Sequence, residues 1–221
     1  FIITKGGIIN KKNDTNFSVN YMEKQLNSSL KNINSDYIDG YQLHNLNSND
    51  KIKTVFKYLV KLKNKGIIRS IGFSSRDPQD ANKILKKFNF DFLQVSFSIF
   101  DQRLLSTDLF KTTKKNQCFL LTRSPFNSGL LLNSKKQKEI FNIKFKQKIN
   151  DFVQKNESQL KYKNLSFAKS ALKFCMSFKE ISSIIVGMSS KSEIGQNIEI
   201  KYNKLRDEII WKNKIKKIYL S

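Results

Sequence analysis

The sequence predicts an α/β protein built on a parallel sheet of six strands. Three observations carry this. Short runs rich in β-branched and aromatic residues alternate with longer stretches whose apolar residues recur at helical spacing. The short runs are apolar almost throughout, as strands buried on both faces are. Capping residues and glycine stops separate the two kinds of segment where an αβ repeat requires them. An open doubly wound sheet and a (β/α)8 barrel both satisfy these observations, and both place their ligand at the carboxyl ends of the strands.

The elements follow in order. Residues 1–4 are strand-like and are stopped by Lys5-Gly6-Gly7. Residues 17–33 are predicted helical, with Tyr21, Met22, Leu26, Leu30 and Ile33 on one face. A strand over 37–44 reads "YIDGYQLH" and ends in the only histidine of the chain. The clearest helix covers 51–65, where Ile52, Val55, Phe56, Leu59 and Leu62 form the apolar stripe and Gly66 occupies the position of a left-handed C-terminal residue. A strand over 67–73 precedes Asp77-Pro78, an N-cap followed by an N1 proline, which opens a helix to about residue 88. Strand 92–97, helix 104–115 and strand 118–122 come next, the last broken at Ser124-Pro125. Two helical segments follow, one inside the Lys-rich stretch 133–163 and one over 165–178. The final strand covers 181–186. Ser190 and Glu193 then form a capping box for the next helix, and a last helix is predicted over 207–220.

A chain of 221 residues with 39% hydrophobic content supports one substantial core, and no compositional boundary divides it, so a single domain over 1–221 is expected. The net charge of +23 would suggest a nucleic-acid or anionic-surface partner. However, the basic residues are 36 Lys against five Arg, dispersed along the chain among Asn, Ile and Phe. A nucleic-acid reader favours the arginine fork, so specific nucleic-acid binding is not expected, and the charge reads as compositional bias that still attracts small phosphorylated ligands. Cys118 and Cys175 lie far apart in apolar runs without metal-like spacing and read as buried free thiols, so no metal site is expected. No run approaches 18 consecutive apolar residues and no signal peptide is recognisable. A cytoplasmic protein without membrane attachment is the expectation.

The strand ends carry the chemistry. At or just past the six strands stand Lys5, His44, Ser74-Ser75, Gln94, Arg123-Ser124, and Gly187 with Ser189. Serines at loop starts are commonplace. Lys5 and His44 differ, because each ends an apolar strand with no helix start to satisfy. On neighbouring strands they would set an ammonium beside an imidazole, a carbonyl-polarising, proton-donating pair.

These residues resemble the aldo-keto reductase family. "FIITKGG" resembles the family strand that ends in the catalytic lysine, and "SDYIDGYQLHN" the strand that ends in the catalytic histidine. "KNKGIIRSIGFSS", "FDFLQVSFSIFD", "RSPFNSGLLL" and "SIIVGMSSKSEIGQNI" are similar to four further family signatures, in order and at family spacing, to about residue 205. The resemblance implies a (β/α)8 barrel, six of whose eight strands are in the sequence, and hydride transfer between a nicotinamide cofactor, usually NADPH, and a small carbonyl or sugar substrate. It implies that Lys5 tunes the acid group and His44 orients the carbonyl. Ser74, Ser75 and Gln94 would hold the nicotinamide carboxamide, with Ser75 where asparagine is usual and Arg123 where many members stack an aromatic. The loop with Ser124, Pro125, Phe126, Gly129 and Leu130 would wrap the pyrophosphate side. Gly187, Ser189, Lys191, Gln196 and Asn197 would hold the adenosine end, helped by the helix dipole at Ser190.

Two departures shape the expectation. The family's proton-donating tyrosine and its aspartate precede the lysine strand, so the chain is expected to be the carboxy-terminal three-quarters of a reductase. The arginine that marks a 2′-phosphate is absent and Glu193 stands near its place, with Lys191 beside it. NADP is the cofactor the resemblance implies, and this departure makes NAD the alternative. The competing function is a non-catalytic barrel that keeps the cofactor site as a sensor or partner-binding module.

Overall fold

The structure, a computed structural model, describes residues 1–9, 14–126, 151, 154–155, 158 and 165–199. Its elements are β1 (Ile3–Gly6), α1 (Val19–Ile33), β2 (Ile38–Leu43), α2 (Lys53–Asn64), β3 (Ile68–Ser74), α3 (Pro78–Leu85), β4 (Phe92–Ser96), a 3-10 turn (Arg103–Ser106), α4 (Leu109–Lys115), β5 (Phe119–Arg123), α5 (Phe167–Met176), β6 (Ser183–Ile185) and α6 (Lys191–Ile198). The six strands follow one another in the sheet in chain order. Parallel registers join β1 to β2, β2 to β3 and β3 to β4. That order settles the alternative left open by the sequence. A doubly wound sheet reverses its strand order at a switch point, whereas each strand here is followed by its chain successor, as the staves of a (β/α)8 barrel are.

The chain divides into two compact units, one of residues 1–95 with 103–121, the other of 96–102 with 122 onward. In the first, one face of the sheet is a hydrocarbon layer. Tyr41, Leu43, Ile71, Phe73, Leu93 and Val95 are each no more than 2% exposed. Beneath the helices they meet Phe90, whose ring lies 4.6 Å from that of Phe73 and 5.0 Å from that of Phe56. Burial of each such side chain stabilises the fold by about 1.5–3 kcal/mol. Tyr41 joins this layer by donating its hydroxyl hydrogen to the Met22 carbonyl of α1, 3.1 Å away.

The opposite face turns polar toward the carboxyl ends of the strands. The registers set Lys5 beside Gln42, Gln42 beside Gly72, and Gly72 beside Phe92, and one pleat further on they set Ser74 beside Gln94. A Cβ at Gly72 would run into the ring of Phe92, so glycine is what lets that ring lie flat across β3. Phe92 thus floors the row above which Ser74 and Gln94 stand.

The second unit packs around aromatic rings. Phe97 stacks on Phe174 of α5 at 5.5 Å and meets Phe178 edge-on at 5.0 Å. Its carbonyl accepts the Cys175 thiol at 3.5 Å. β6 and α6 are far more exposed, and α6 has no buried residue.

Several expected boundaries move. β1 runs through Lys5 to Gly6, so the lysine lies within the strand. The helix expected over 104–115 is a 3-10 turn followed by a shorter α-helix. The cause is Thr107, whose hydroxyl donates to the Leu104 carbonyl at 2.8 Å and accepts from the Leu109 amide at 3.2 Å, competing with the helical ladder. Gly66, at φ 75°, ends α2 as its position predicts. The helices expected inside 133–163 and over 207–220 lie outside the described residues. No helix among the described residues is long and apolar enough to cross a membrane.

Candidate active site

Lys5 lies within β1, one residue before its end, and His44 directly follows β2, the parallel strand beside it. The His44 amide donates to the Gly6 carbonyl at 2.9 Å, continuing the β1–β2 ladder past the last paired residues. The ammonium of Lys5 donates to Oε1 of Gln94 at 2.5 Å. These residues belong to β1 and β4, three strand spacings apart, roughly 14 Å in a flat sheet. Side chains rising from a flat surface would stay that far apart. Their contact requires a concave face that tilts them toward each other, the curvature a barrel imposes on its inner surface.

Ser74, Ser75 and Gln94 are all buried, at 1%, 1% and 2% exposure. Ser74 serves its neighbours twice. Its hydroxyl oxygen accepts from the Asn45 amide at 3.0 Å, and its carbonyl accepts from the Leu46 amide at 2.7 Å. Asn45 has φ 56°, a left-handed conformation that costs a non-glycine residue about 1–2 kcal/mol, least for asparagine. Both bonds hold the chain in that turn directly after His44. Ser75 donates its amide to the Gln94 carbonyl at 3.1 Å and its hydroxyl to the Asp77 carbonyl at 3.2 Å.

Gln42 escaped the sequence reading. It is 1% exposed, in register with Lys5 on the same face, and among the described residues its Nε2 has no hydrogen-bond partner. An unsatisfied buried donor costs roughly 1–3 kcal/mol. The available signal was a polar residue two positions before His44 in an apolar strand, which period two puts on the histidine's side of the pleat.

The remaining candidates belong to the second unit. Arg123, half-buried, ends β5, and its carbonyl accepts from the Phe97 amide at 3.1 Å. Ser124 follows at φ 63°, with Pro125 and Phe126 buried after it. Gly129 and Leu130 lie outside the described residues. Gly187 and Ser189 are exposed and lead into α6. Ser190 accepts from the Glu193 amide at 3.2 Å, as the capping box predicts. The return bond differs from the usual box, because the Glu193 carboxylate takes the Ser189 amide, at 2.5 Å, together with the Ser189 hydroxyl at 3.1 Å. Lys191 opens α6 exposed, Gln196 donates to Ser192 at 3.3 Å, and Asn197 is half-buried.

The first-unit set fits a nicotinamide. A carboxamide needs a donor and an acceptor in one plane, and the Gln94 side chain offers both. Nicotinamide would bring a transferable hydride, while Lys5 and His44 would supply the positive and proton-bearing groups for the oxygen of a carbonyl.

Comparison with known proteins identifies the family. The chain is 27% identical over 187 residues to the uncharacterized oxidoreductase YqkF of Bacillus subtilis, covering 81% of this chain and 60% of that protein. It is 29% identical over 134 residues to an NADH-specific methylglyoxal reductase of Escherichia coli, 58% of this chain and 41% of that one. It therefore spans about 60% or less of the length of these curated relatives. Among solved structures, the holo form of an aldo-keto reductase from Bacillus halodurans superposes with a TM-score of 0.75 at 24% identity, covering 92% of this chain and 68% of that one. A glycerol dehydrogenase from Gluconobacter oxydans gives a TM-score of 0.75 at 18% identity, covering 98% and 71%. These likenesses show the fold to be that of the aldo-keto reductase barrel. The model of the Aldo/keto reductase family matches residues 1–218, and the chain belongs to that family of oxidoreductases.

Proposed function

We propose that the protein is a nicotinamide-dependent reductase of small aldehydes or ketones, running in reverse on alcohols or sugars, and that Lys5 and His44 act at the reacting oxygen. The observation that carries this reading is that Lys5 and His44 stand on adjacent parallel strands, near their carboxyl ends, with the ammonium bonded to the buried amide of Gln94. Lys5 holds a positive charge that lowers the pKa of a neighbouring acid and stabilises negative charge developing on the carbonyl oxygen. His44 donates to that oxygen and fixes its direction. Gln94, with Ser74 and Ser75 beside it, would orient the carboxamide, and Arg123 with the Ser124–Phe126 turn would bind the pyrophosphate.

The decisive experiment separates chemistry from binding. In the full-length protein, His44→Ala should lower carbonyl reduction by about 10²–10⁴-fold, as removal of a proton-transferring group does. Dinucleotide binding, read by nicotinamide fluorescence, should stay within a few-fold. Intact turnover with lost dinucleotide binding would refute the assignment. A protein that binds dinucleotide but turns over no carbonyl, with or without His44, would instead be a sensor or partner-binding module.

The cofactor reading is finer. NADP is the usual partner in this family, yet the Glu193 carboxylate, bound to Ser189, supplies negative charge at the start of α6. A 2′-phosphate would be repelled there, and NADH should bind at least as tightly as NADPH. Glu193→Gln should move the ratio of the two dissociation constants toward NADPH; an unmoved ratio would place the 2′-position elsewhere.

A further inference from the structure

We propose that Ser74 is a positioning residue for His44, in addition to any contact it makes with a cofactor. The proposal rests on the reading of His44 as the group that orients the carbonyl. The backbone that carries His44 is pinned on both sides. Its own amide is tied to Gly6 on β1, at 2.9 Å. The next two amides are tied to β3, that of Asn45 to the Ser74 hydroxyl at 3.0 Å and that of Leu46 to the Ser74 carbonyl at 2.7 Å.

The two bonds to Ser74 are not equivalent. The one to its carbonyl survives any substitution, because every residue has that group. The one to its hydroxyl depends on the side chain, and it holds the amide of the residue that turns the chain at φ 56°. Without that acceptor, a left-handed asparagine loses the contact that outweighs its strain and drifts toward ordinary backbone angles. The carbonyl of His44 belongs to the same peptide plane as the Asn45 amide, so rotation there swings the backbone from which the imidazole projects. Ser74 is 1% exposed, which shields the bond from competing water. Its hydroxyl hydrogen is not used in accepting from Asn45, so the same oxygen can still donate to a carboxamide.

His44 is the only histidine in the chain, so the imidazole gives one unambiguous set of ring resonances. The test is carried out on the full chain without dinucleotide. Ser74→Ala should displace or broaden the ring resonances and speed exchange of the Asn45 amide by about tenfold or more, a local opening. Ser74→Thr, which keeps the hydroxyl, should restore both. If Ser74→Ala does not fold, Ser74→Cys, near in volume with a weaker acceptor, repeats the comparison. In turnover, Ser74→Ala should lower kcat by about 10- to 100-fold, the scale of a displaced orienting group, while the dissociation constant for dinucleotide changes much less. Ring resonances in Ser74→Ala or Ser74→Cys that superimpose on those of the parent would overturn the proposal. So would a variant whose only change is weaker dinucleotide binding, since that is the behaviour of a cofactor ligand alone. These outcomes are separate from the fate of the functional reading: unchanged turnover in His44→Ala removes the catalytic role, while the ring resonances still decide whether Ser74 sets the imidazole.

Discussion

The strand-end cluster of the first unit and the N-terminus of α6 in the second are both polar, and they are built in opposite ways. In the first, Lys5 bonds Gln94 across 89 residues of sequence and Ser74 bonds Asn45 across 29. Ser74 and Gln94 are nearly inaccessible to solvent. At α6, Ser189 and Ser190 both satisfy themselves on Glu193, no more than four residues away, on an exposed helix. The first arrangement exists only when strands distant in sequence have assembled side by side, whereas the second forms wherever α6 forms. Disturbance of the first should therefore cost chemistry and fold together, and disturbance of the second only local order and affinity.

The largest effect that would sharpen this contrast is on the reaction. Lys5→Met keeps the length of the side chain and removes its charge, and hydride transfer should fall by about 10²–10⁴-fold. Unchanged turnover would make the lysine a surface charge and break the comparison at its root. The next effect is on stability. Gly72→Ala drives a methyl group into the Phe92 ring, which has the hydrocarbon of neighbouring strands around it, and should cost about 1–3 kcal/mol in urea unfolding. Dinucleotide affinity should fall with it, because Phe92 floors the row beneath Gln94. A stable variant with normal affinity would mean that the ring swings aside freely.

Most of the fold was legible because its signals are local. The αL glycine at Gly66, the Asp77-Pro78 helix start and the Ser190 cap all depend on residues within one turn, and all three stand where the sequence puts them. The split of 103–115 was hidden because Thr107 competes with the helix through a hydroxyl whose bonds no periodicity reveals. The order of the strands could not be read from periodicity, since a doubly wound sheet and a barrel share one alternation pattern; the family resemblance alone implied the barrel, and the strand order agrees with it. At the site, Lys5 and His44 could be read from their places at strand ends. The bond from Lys5 to Gln94 could not, as it needs the curvature that only the assembled sheet has. Nor could the second duty of Ser74, because a serine after a strand looks the same whether it holds a cofactor or the backbone of a neighbouring loop.

At α6 the expected effects are smaller. Ser190→Ala removes an N-cap and should cost about 1 kcal/mol or less of helix stability, seen as faster amide exchange confined to α6, with urea unfolding of the first unit unmoved. Loss of cooperativity throughout the chain would instead tie the two regions together. Alkaline pH probes the first unit in the opposite sense. Burial, together with a 2.8 Å bond from its hydroxyl to Glu23, pushes the pKa of Tyr58 up to about 12 from its ordinary 10.0. The folded protein holds that proton where the unfolded chain releases it. The contribution of Tyr58 is complete below pH 10.0 and is lost as pH rises toward about 12. Stability should therefore decline across that interval, and Tyr58→Phe should decline less steeply; parallel curves would assign the alkaline loss to other groups, such as the buried Tyr41, whose pKa burial also raises.

The smallest expected effect concerns Gln42. Its amide lies buried in register with Lys5, and its Nε2 is unpartnered among the described residues, so that donor contributes nothing to holding the strand. Gln42→Leu is close in volume and removes the orphaned donor, and such exchanges are nearly neutral or stabilising because the cost of desolvating that group disappears. Urea unfolding should change by less than about 1 kcal/mol, in contrast to Gly72→Ala on the adjacent strand of the same row. The pair separates two kinds of position on one face: Gly72 is fixed by the space Phe92 needs, whereas buried Gln42 tolerates an apolar side chain of its own volume. If Gln42→Leu leaves stability intact but weakens the binding of a carbonyl or dinucleotide, the amide is kept for the ligand. If it destabilises as much as Gly72→Ala, the donor has an acceptor within the folded protein, and the polar face is held together by more than the bonds of Lys5 and Ser74.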